Sequence, residues 1–163
     1  MEQKNSEEKP REIKTNVLVP YEIAVGKTWS KFFDYLKEER IMGKRCCKCK
    51  RILVPPRTFC PRCFEETDEW VEVSQEGIIE TWSYATLKFY GQIQDPPFIS
   101  AQIRLEGADT GFLHRIAGFD LSDFEKANKI VKLGGKVKAV WRKDKRGDIT
   151  DLDYFAPVEI LSL

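Results

Sequence analysis

The sequence predicts a mainly β protein that begins with a helical segment, continues with a small cysteine-rich ribbon and ends with a five-stranded barrel containing one helix. Three observations lead to this fold class. Two C-x-x-C pairs lie ten residues apart, about five β-type runs follow them, and one helical pattern interrupts those runs. We therefore expect four regions in the 163 residues: a flexible tail (1–19), a helical arm (20–43), a ribbon (44–70) and a barrel (71–163).

The composition limits the function classes that fit this chain. Hydrophobic residues make up 42% of the sequence, which is enough for a core, and the formal net charge is +1. Such a balance gives the whole protein no attraction to nucleic-acid backbones or anionic membranes. No apolar run approaches the roughly 20 residues of a spanning helix, and the first ten residues are charged, unlike a secretory signal. We expect a cytoplasmic protein, because no export signal is apparent, and in that reducing compartment cysteines bind metals more often than they form disulfides.

The tail and the arm differ in apolar content. Residues 1–15 mix Glu, Lys, Asn and Ser, which predicts a solvated tail or, alternatively, an arm that orders on a partner. The helical arm carries an amphipathic stripe at i, i+3, i+4 and i+7, with Thr28 as the expected N-cap and Gly43 as the expected end. The stripe predicts either packing in the core or a partner interface, and it consists of Trp29, Phe32, Phe33 and Leu36.

The ribbon holds all five cysteines. Cys46 and Cys49 form one C-x-x-C pair, and Cys60 and Cys63 form the other. Two intervening residues let both sulfurs of a pair point at one ion about 2.3 Å away, and two pairs complete a tetrahedron with no open position. The spacing predicts one structural metal ion that folds the segment, with zinc favoured over iron in a rubredoxin-like site and over disulfides. Cys47 is left over as a bystander thiol, since a nucleophile would need a base that the sequence does not indicate.

The charges of the ribbon are segregated along the sequence. Residues 40–63 contain no acidic side chain, whereas residues 65–80 are strongly acidic. Four thiolates on a divalent ion leave about two negative charges, which offset part of the basic run. The remaining basic face suits a phosphate-bearing ligand such as coenzyme A or an acidic partner, and a solvated face is the alternative for each single residue. The basic residues are Arg40, Lys44, Arg45, Lys48, Lys50, Arg51, Arg57 and Arg62.

The region after residue 70 shows the alternation typical of strands. The expected strands cover residues 71–73, 78–86, 98–105, 111–119, 136–141 and 152–160. One helix follows Ser122, which has capping-box spacing to Glu125, and its apolar face consists of Phe124, Ala127 and Ile130. About five strands with a helix between the third and the fourth suit an OB-fold barrel, while periodicity alone also allows an SH3-like barrel.

Residues that could carry catalysis are few. His114 is the only histidine and lies in an apolar, strand-like run, where a hydrogen-bonded structural role is expected. Asp109-Thr110-Gly111 spells the short signature of aspartic proteases, but a single three-residue copy has no weight. No Gly-rich phosphate loop, nucleophile elbow or H-E-x-x-H motif occurs. The chain is therefore not expected to be an enzyme by itself, and no catalytic residue is predicted.

The ribbon resembles the zinc-ribbon/OB-fold family catalogued as domain of unknown function thirty-five. In that family the first C-x-x-C is followed by Pro-Pro-Arg and then by C-P-x-C, and residues 55–57 match the Pro-Pro-Arg here. The resemblance covers about residues 20–158, and it includes the aromatic helix and the segments 76–77, 109–115, 149–151 and 154–157. One departure is Lys50, where the family often has glycine, so the turn after the first pair is expected to be tighter or shifted.

The resemblance implies a function and a partner. Members of this family look like small non-catalytic partners of thiolase-fold enzymes, such as thiolases, hydroxymethylglutaryl-CoA synthase, acyltransferases and steroid side-chain aldolases. The resemblance therefore implies a zinc-binding accessory subunit in a hetero-oligomer with a thiolase-fold catalytic chain. The ribbon and the aromatic stripe of the arm would contact that chain, and the barrel would help to bind or channel acyl-CoA.

A single-stranded nucleic-acid-binding protein is the alternative function, because OB barrels and zinc ribbons both serve that purpose. Residues 71–163 contain 12 Lys/Arg against 14 Asp/Glu, whereas binding to a phosphate backbone needs a basic groove. Charge therefore makes this the weaker interpretation. The aromatic residues available for base stacking are Trp82, Tyr84, Phe89, Tyr90 and Trp141.

Overall fold

The computed structural model describes residues 11–13, 22–92 and 94–161. Apart from residues 11–13, the expected flexible tail lies outside the described residues. Helix α1 precedes a ribbon of three strands, and a barrel of five strands with α2 between its third and fourth strands follows. The elements are α1 (Gly26–Lys37), β1 (Met42–Cys46), β2 (Ile52–Leu53), β3 (Thr67–Glu72), β4 (Glu76–Ala85), β5 (Phe98–Leu105), β6 (Phe112–Ile116), α2 (Phe124–Ile130), β7 (Lys136–Trp141), a 3-10 turn (Ile149–Asp151), β8 (Leu152–Pro157) and α3 (Val158–Leu161).

Helix α1 begins and ends earlier than its sequence signals predicted. Val25 precedes its first residue and makes no side-chain capping bond, so Thr28 lies inside the first turn and is not the N-cap. The helix ends at Lys37, and Glu39 takes a left-handed φ of 61°. Gly43 lies in β1, where an added Cβ would stand 2.7 Å from Ile52 Cγ2. Glycine is needed there because β2 approaches closely, and not because a helix ends.

The ribbon is a three-stranded antiparallel sheet in the order β2-β1-β3. Lys44 pairs with Leu53 of β2 and with Trp70 of β3, and Arg45 faces Glu69. This register places the acidic stretch of the sequence beside the basic stretch. The two charge runs that the sequence separates therefore become neighbours in the sheet.

The barrel closes in the order β4-β5-β6-β8-β7. Only β6 and β8 pair in parallel, at Ile116 and Phe155, and the other neighbours are antiparallel. The first barrel strand thus pairs with the second and the fourth, and the third pairs with the fifth. This is the Greek-key connectivity of the OB fold. The predicted fold class is confirmed, and topology decides for the OB barrel over the SH3-like alternative that periodicity left open.

Helix α2 is capped by Asp123, one residue after the predicted cap. Its carboxylate accepts hydrogen bonds from the backbone N–H groups of Glu125 at 2.9 Å and Lys126 at 3.3 Å. Ser122 therefore lies outside the helix. The carboxylate satisfies N–H groups that have no partner within the first turn.

A single hydrophobic cluster joins the helical arm to the barrel. Phe32 and Leu36 of α1 belong to the same cluster as Phe112 and Phe155 of the barrel, and all four side chains are buried. The helix packs against the 3-10 turn before β8 and against β1. The chain's own ribbon and barrel thus cover one face of the arm. None of the helices described is long and apolar enough to cross a membrane.

Candidate metal centre

Four cysteine sulfurs converge between the strands of the ribbon. The Sγ atoms of Cys46, Cys49, Cys60 and Cys63 all lie within 4.8 Å of one another. Two sulfurs bound tetrahedrally to one ion at about 2.3 Å lie about 3.8 Å apart, and the Cys49 and Cys60 sulfurs are 3.8 Å apart. The donor set and its spacing therefore fit one zinc ion. Leu53 packs against the cluster, in which Cys46 and Cys60 are fully buried.

The two cysteine pairs sit in loops with the same backbone hydrogen bonds. The N–H of Lys50 donates to the Cys46 carbonyl at 3.0 Å, and the N–H of Phe64 donates to the Cys60 carbonyl at 2.9 Å. The N–H groups of Cys46 and Cys60 in turn donate to the carbonyls of Arg51 and Glu65. Each loop thus closes one turn on its first cysteine, which places its two thiols on the same side. The C-x-x-C spacing causes this geometry directly.

Lys50 and Phe64 occupy matching positions in the two cysteine loops and share an unusual backbone conformation. Lys50 has a φ of 61° and Phe64, at the matching position of the second loop, has a φ of 57°. Both residues adopt the left-handed conformation that glycine takes without strain and that other residues adopt at a cost of roughly 1–2 kcal/mol. Lys50 therefore takes a backbone conformation that glycine favours, and the four sulfurs still converge.

The thiols of the centre differ in how easily they ionise. The backbone N–H of Cys49, hydrogen-bonded to the sulfur of Cys46, is the largest influence that lowers the pKa of Cys46 to about 7. A hydrogen bond with the Cys49 thiol and burial raise the pKa of Cys63 to about 12. Without a cation, four adjacent thiolates would repel one another. A divalent ion supplies the positive charge that lets all four sulfurs act as ligands at neutral pH.

Family models match both domains of this architecture. Residues 33–69 match the model described as ChsH2, rubredoxin-like zinc ribbon domain, and residues 70–142 match the adjoining ChsH2, C-terminal OB-fold domain. The chain belongs to the ChsH2 family. The two matches meet between Glu69 and Trp70, inside β3, and together they cover the metal centre and most of the barrel.

Two solved structures share the fold of this ChsH2-family chain. One is a protein of unknown function from the DUF35 family of Sulfolobus solfataricus, with 29% identity, a TM-score of 0.54, and coverage of 71% of this chain and 78% of that one. The other is described as an Ltp2-ChsH2(DUF35) aldolase, with 20% identity, a TM-score of 0.59, and coverage of 84% and 99%. No curated protein matches the chain.

Cys47 stands apart from the four-sulfur cluster. Its side chain is exposed, while the cluster consists of the other four cysteines. The position matches the bystander thiol of the sequence interpretation.

The basic face of the ChsH2-type ribbon is partly neutralised within the chain. Arg40 binds Glu72 at 2.8 Å, Arg45 binds Glu69 at 2.9 Å, and Lys48 lies 3.6 Å from Glu65. Arg57 and Arg62 are exposed and form no ion pair among the described residues. The basic surface offered to another molecule is therefore smaller than the sequence suggests.

The Asp109-Thr110 segment attaches the ribbon to the barrel. The Asp109 carboxylate accepts a hydrogen bond from the Ile52 N–H at 2.8 Å, and the Asp109 N–H donates to the Ile52 carbonyl at 2.9 Å. The Thr110 hydroxyl accepts from the Val54 N–H and donates to the Val54 carbonyl, each at 2.8 Å. These residues bind β2 and the residue after it from more than 50 positions away. The protease-like motif is thus a structural junction between the ribbon and the barrel. In the sequence, the adjacent hydrogen-bonding side chains of Asp109 and Thr110 were the feature that could have indicated this role.

We expect Asp109→Ala to loosen this junction. The change removes the charged acceptor of the Ile52 N–H at an exposed site. We therefore expect the free energy of unfolding to fall by about 1–2 kcal/mol. Hydrogen exchange at the Ile52 and Val54 amides should accelerate, while exchange within β5 stays slow. Asp144→Ala, at an exposed aspartate that forms no ion pair among the described residues, serves as the control. Unchanged exchange at Ile52 would contradict the role of Asp109.

The predicted interface stripe divides between the interior and the surface. Phe32 and Leu36 have no exposed surface, so these two side chains are inaccessible to a partner in this fold. Phe33 is half-buried against the core cluster, and Trp29 remains 37% exposed. The Trp29 ring contacts Phe32 and Phe33 in edge-on geometry. Of the two alternatives that the sequence left open, core packing therefore describes Phe32 and Leu36, while Trp29 keeps surface that a partner could contact.

Most of the aromatic residues considered for base stacking have partners inside the chain. Trp82 and Tyr84 contact Phe124 of α2, and the Tyr84 hydroxyl donates a hydrogen bond to the Leu121 carbonyl. The Trp141 indole N–H donates to the Gln75 side chain at 2.9 Å. Phe89 and Tyr90 are exposed in the loop between β4 and β5. The barrel therefore lacks a row of free aromatic rings along these positions.

Proposed function

We propose that this chain is a zinc-binding accessory subunit that assembles with a thiolase-fold catalytic chain acting on acyl-CoA. Family membership supports the proposal, since the family models that match the two domains of this chain are both named after ChsH2. The solved aldolase that shares the fold is itself described as containing Ltp2 together with ChsH2. In this proposal the zinc ion is structural, and the partner contributes the residues that make and break bonds.

A cleft between α1 and the ribbon is the observation that carries the proposal. It has a volume of about 320 Å³ and is lined by Trp29, Phe59 and the segment from Pro55 to Thr58. Phe59 is 55% exposed, and Phe64 on the second cysteine loop is 82% exposed. Exposed aromatic side chains of this size are enriched where proteins contact one another, and they contribute most of the binding free energy there.

The metal centre holds this cleft in shape. Residues 55–59 lie between Cys49 and Cys60, so ligand cysteines flank the segment on both sides. The Thr58 carbonyl accepts the Thr67 N–H at 3.0 Å, which ties the segment to β3. A rigid aromatic surface loses little conformational entropy on association. We therefore assign the zinc ion the role of presenting the surface to the partner.

Copurification from the native host tests the assembly. We expect the tagged chain to recover a thiolase-fold protein in stoichiometric amount. Trp29→Ala combined with Phe59→Ala should reduce that recovery at least tenfold, because truncation of central aromatic residues removes most of the affinity. Leu133→Ala, at an exposed apolar residue between α2 and β7, is the matched control. Recovery of the chain alone, or equal recovery with the double variant, would refute the proposal.

Within this class we propose the small subunit of benzoylsuccinyl-CoA thiolase, from anaerobic toluene degradation. The resemblance of residues 20–158 to small partners of thiolase-fold enzymes supports this choice. The copurified complex should then cleave benzoylsuccinyl-CoA in the presence of coenzyme A, and the tagged chain without its partner should not. A complex that forms but cleaves a different acyl-CoA would reject this assignment and keep the accessory role.

A further inference from the structure

A second cavity, of about 570 Å³, opens on the barrel. Its walls come from β5, β6 and β8, from Gln94 in the β4–β5 loop and from the β7–β8 loop. In an OB fold, the face of the second and third strands, together with the first and the last interstrand loops, forms the usual ligand-binding surface. Here those elements are β5, β6, the β4–β5 loop and the β7–β8 loop. The cavity therefore lies where this fold most often binds ligands.

Three arginines line the cavity. Arg115 is held in place, because its Nε donates to the Asp153 carbonyl at 2.6 Å and its guanidinium pairs with the Asp153 carboxylate. Arg142 and Arg146 make no side-chain hydrogen bond or ion pair with any residue that the structure describes. Asp153 is the only acidic residue in the cavity wall. The wall is therefore cationic although the barrel as a whole is net negative.

The loop that carries the two unpaired arginines is ordered by a buried carboxylate. Asp151 is fully buried, and its two oxygens accept the N–H groups of Arg146 at 2.6 Å and Gly147 at 2.8 Å. The Arg142 N–H donates to the Asp151 carbonyl at 3.0 Å. Asp148, in the same loop, accepts the Thr150 hydroxyl at 2.5 Å, and this hydrogen bond is the largest influence that lowers the pKa of Asp148. The charges of Arg146 and Arg142 act in the same direction, so the Asp148 carboxylate offsets part of their charge without forming an ion pair with either. The backbone of both arginines is thus fixed before any ligand binds.

His114 adds a polar group with an unfilled hydrogen-bonding position. Its ring forms part of the cavity wall, and its buried Nδ1 has no hydrogen-bond partner among the residues that the structure describes. Burial lowers the pKa of His114 to about 4, and it outweighs the backbone groups of Arg115 and Ile149, which act in the opposite direction. The imidazole is therefore neutral at pH 7. A neutral ring can accept or donate one hydrogen bond without adding charge.

We propose that this cavity binds the phosphate group of a phosphorylated small molecule, with Arg142 and Arg146 as its cationic ligands. Guanidinium groups bind phosphate oxygens through paired N–H donors, and two unpaired groups on one preformed loop suit a phosphate or diphosphate. A nucleic-acid chain would need a longer basic groove, whereas the three arginines line one short cavity. The proposal concerns the chain alone and does not depend on the partner enzyme.

Binding of defined probes to the zinc-loaded full chain tests the proposal. The probes are pyrophosphate, coenzyme A, and pantetheine, which lacks phosphate. His114 is the only histidine, so its ring signals in NMR report on the cavity without ambiguity. We expect pyrophosphate and coenzyme A to shift those signals saturably below 1 mM, and pantetheine to leave them unchanged. Arg142→Gln and Arg146→Gln should each weaken binding about tenfold or more, because a charge-assisted contact is lost.

Lys143→Gln is the matched control, since it removes one positive charge from an exposed residue of the same loop that does not line the cavity. It should bind the probes as the natural chain does. Equal weakening by Lys143→Gln would indicate nonspecific attraction and overturn the site. Absence of binding by either phosphate probe, equal binding of pantetheine, or tighter binding of an oligothymidylate than of coenzyme A would also overturn it. None of these outcomes bears on copurification with a thiolase-fold partner, so the two proposals fail separately.

Discussion

Replacing Cys60 with serine is expected to abolish stoichiometric zinc and to unfold the ribbon. The change removes one of four converging sulfurs at a fully buried position. Structural zinc in small modules contributes about 10–16 kcal/mol of apparent binding free energy at pH 7, and much of this is folding free energy. Elemental analysis should fall from one zinc per chain to nearly none. The protected amides of Lys50 and Phe64, which close the two cysteine loops, should exchange freely.

Cys47→Ser provides the control for this experiment, because Cys47 is exposed and lies outside the cluster. It should retain one zinc per chain and the same exchange pattern. A colourless protein would agree with zinc, while a red protein would indicate iron in the same four-sulfur site. If Cys60→Ser kept its amide protection and its association with other chains, the ribbon would not depend on metal.

Replacing Phe32 with alanine is expected to destabilise the whole chain by about 3–5 kcal/mol, the usual cost of emptying a buried phenylalanine site. Phe32 has no exposed surface and belongs to the cluster shared by α1 and the barrel. For a chain of this size, the loss corresponds to a fall in melting temperature of roughly 6–20 °C. Thermal unfolding followed by circular dichroism measures it. The charged variant with Phe32→Asp and Phe33→Asp should not fold.

Trp29→Ala separates stability from association on the same helix. Trp29 is partly exposed and lines the cleft, so its truncation should lower the melting temperature much less than Phe32→Ala does. Under the proposed function it should still reduce partner recovery. A Phe32→Ala protein with unchanged stability would show that α1 does not contribute to the core in solution.

The ribbon and the barrel are connected by side-chain packing and hydrogen bonds as well as by the covalent chain. The cluster that contains Phe32 and Leu36 also includes Val54 of the ribbon and Phe155 of the barrel. Asp109 and Thr110 add backbone hydrogen bonds to Ile52 and Val54 across the same junction. Disturbance at the metal centre should therefore reach the junction through the short strand β2. This coupling gives the zinc ion an influence beyond its own loops.

Local sequence determined the features that depend on short-range geometry. The C-x-x-C spacing specified which thiols converge, because each pair is placed by one turn of backbone. The alternation of apolar residues identified β5 and β7 with the bounds that the structure gives. Family motifs then identified an OB barrel that periodicity could not distinguish from an SH3-like one.

Tertiary structure decided the features that depend on residues far apart in the chain. Whether the face of α1 is core or interface depended on the turn before β8, more than 110 residues away, which packs against it. The junction at Asp109 and the cationic cavity formed by Arg115, Arg142 and Arg146 likewise arise only when distant loops meet. Side-chain spacing along the sequence reports neighbours on one helix or strand, whereas these contacts follow from the barrel's closure and from the docking of the ribbon on it.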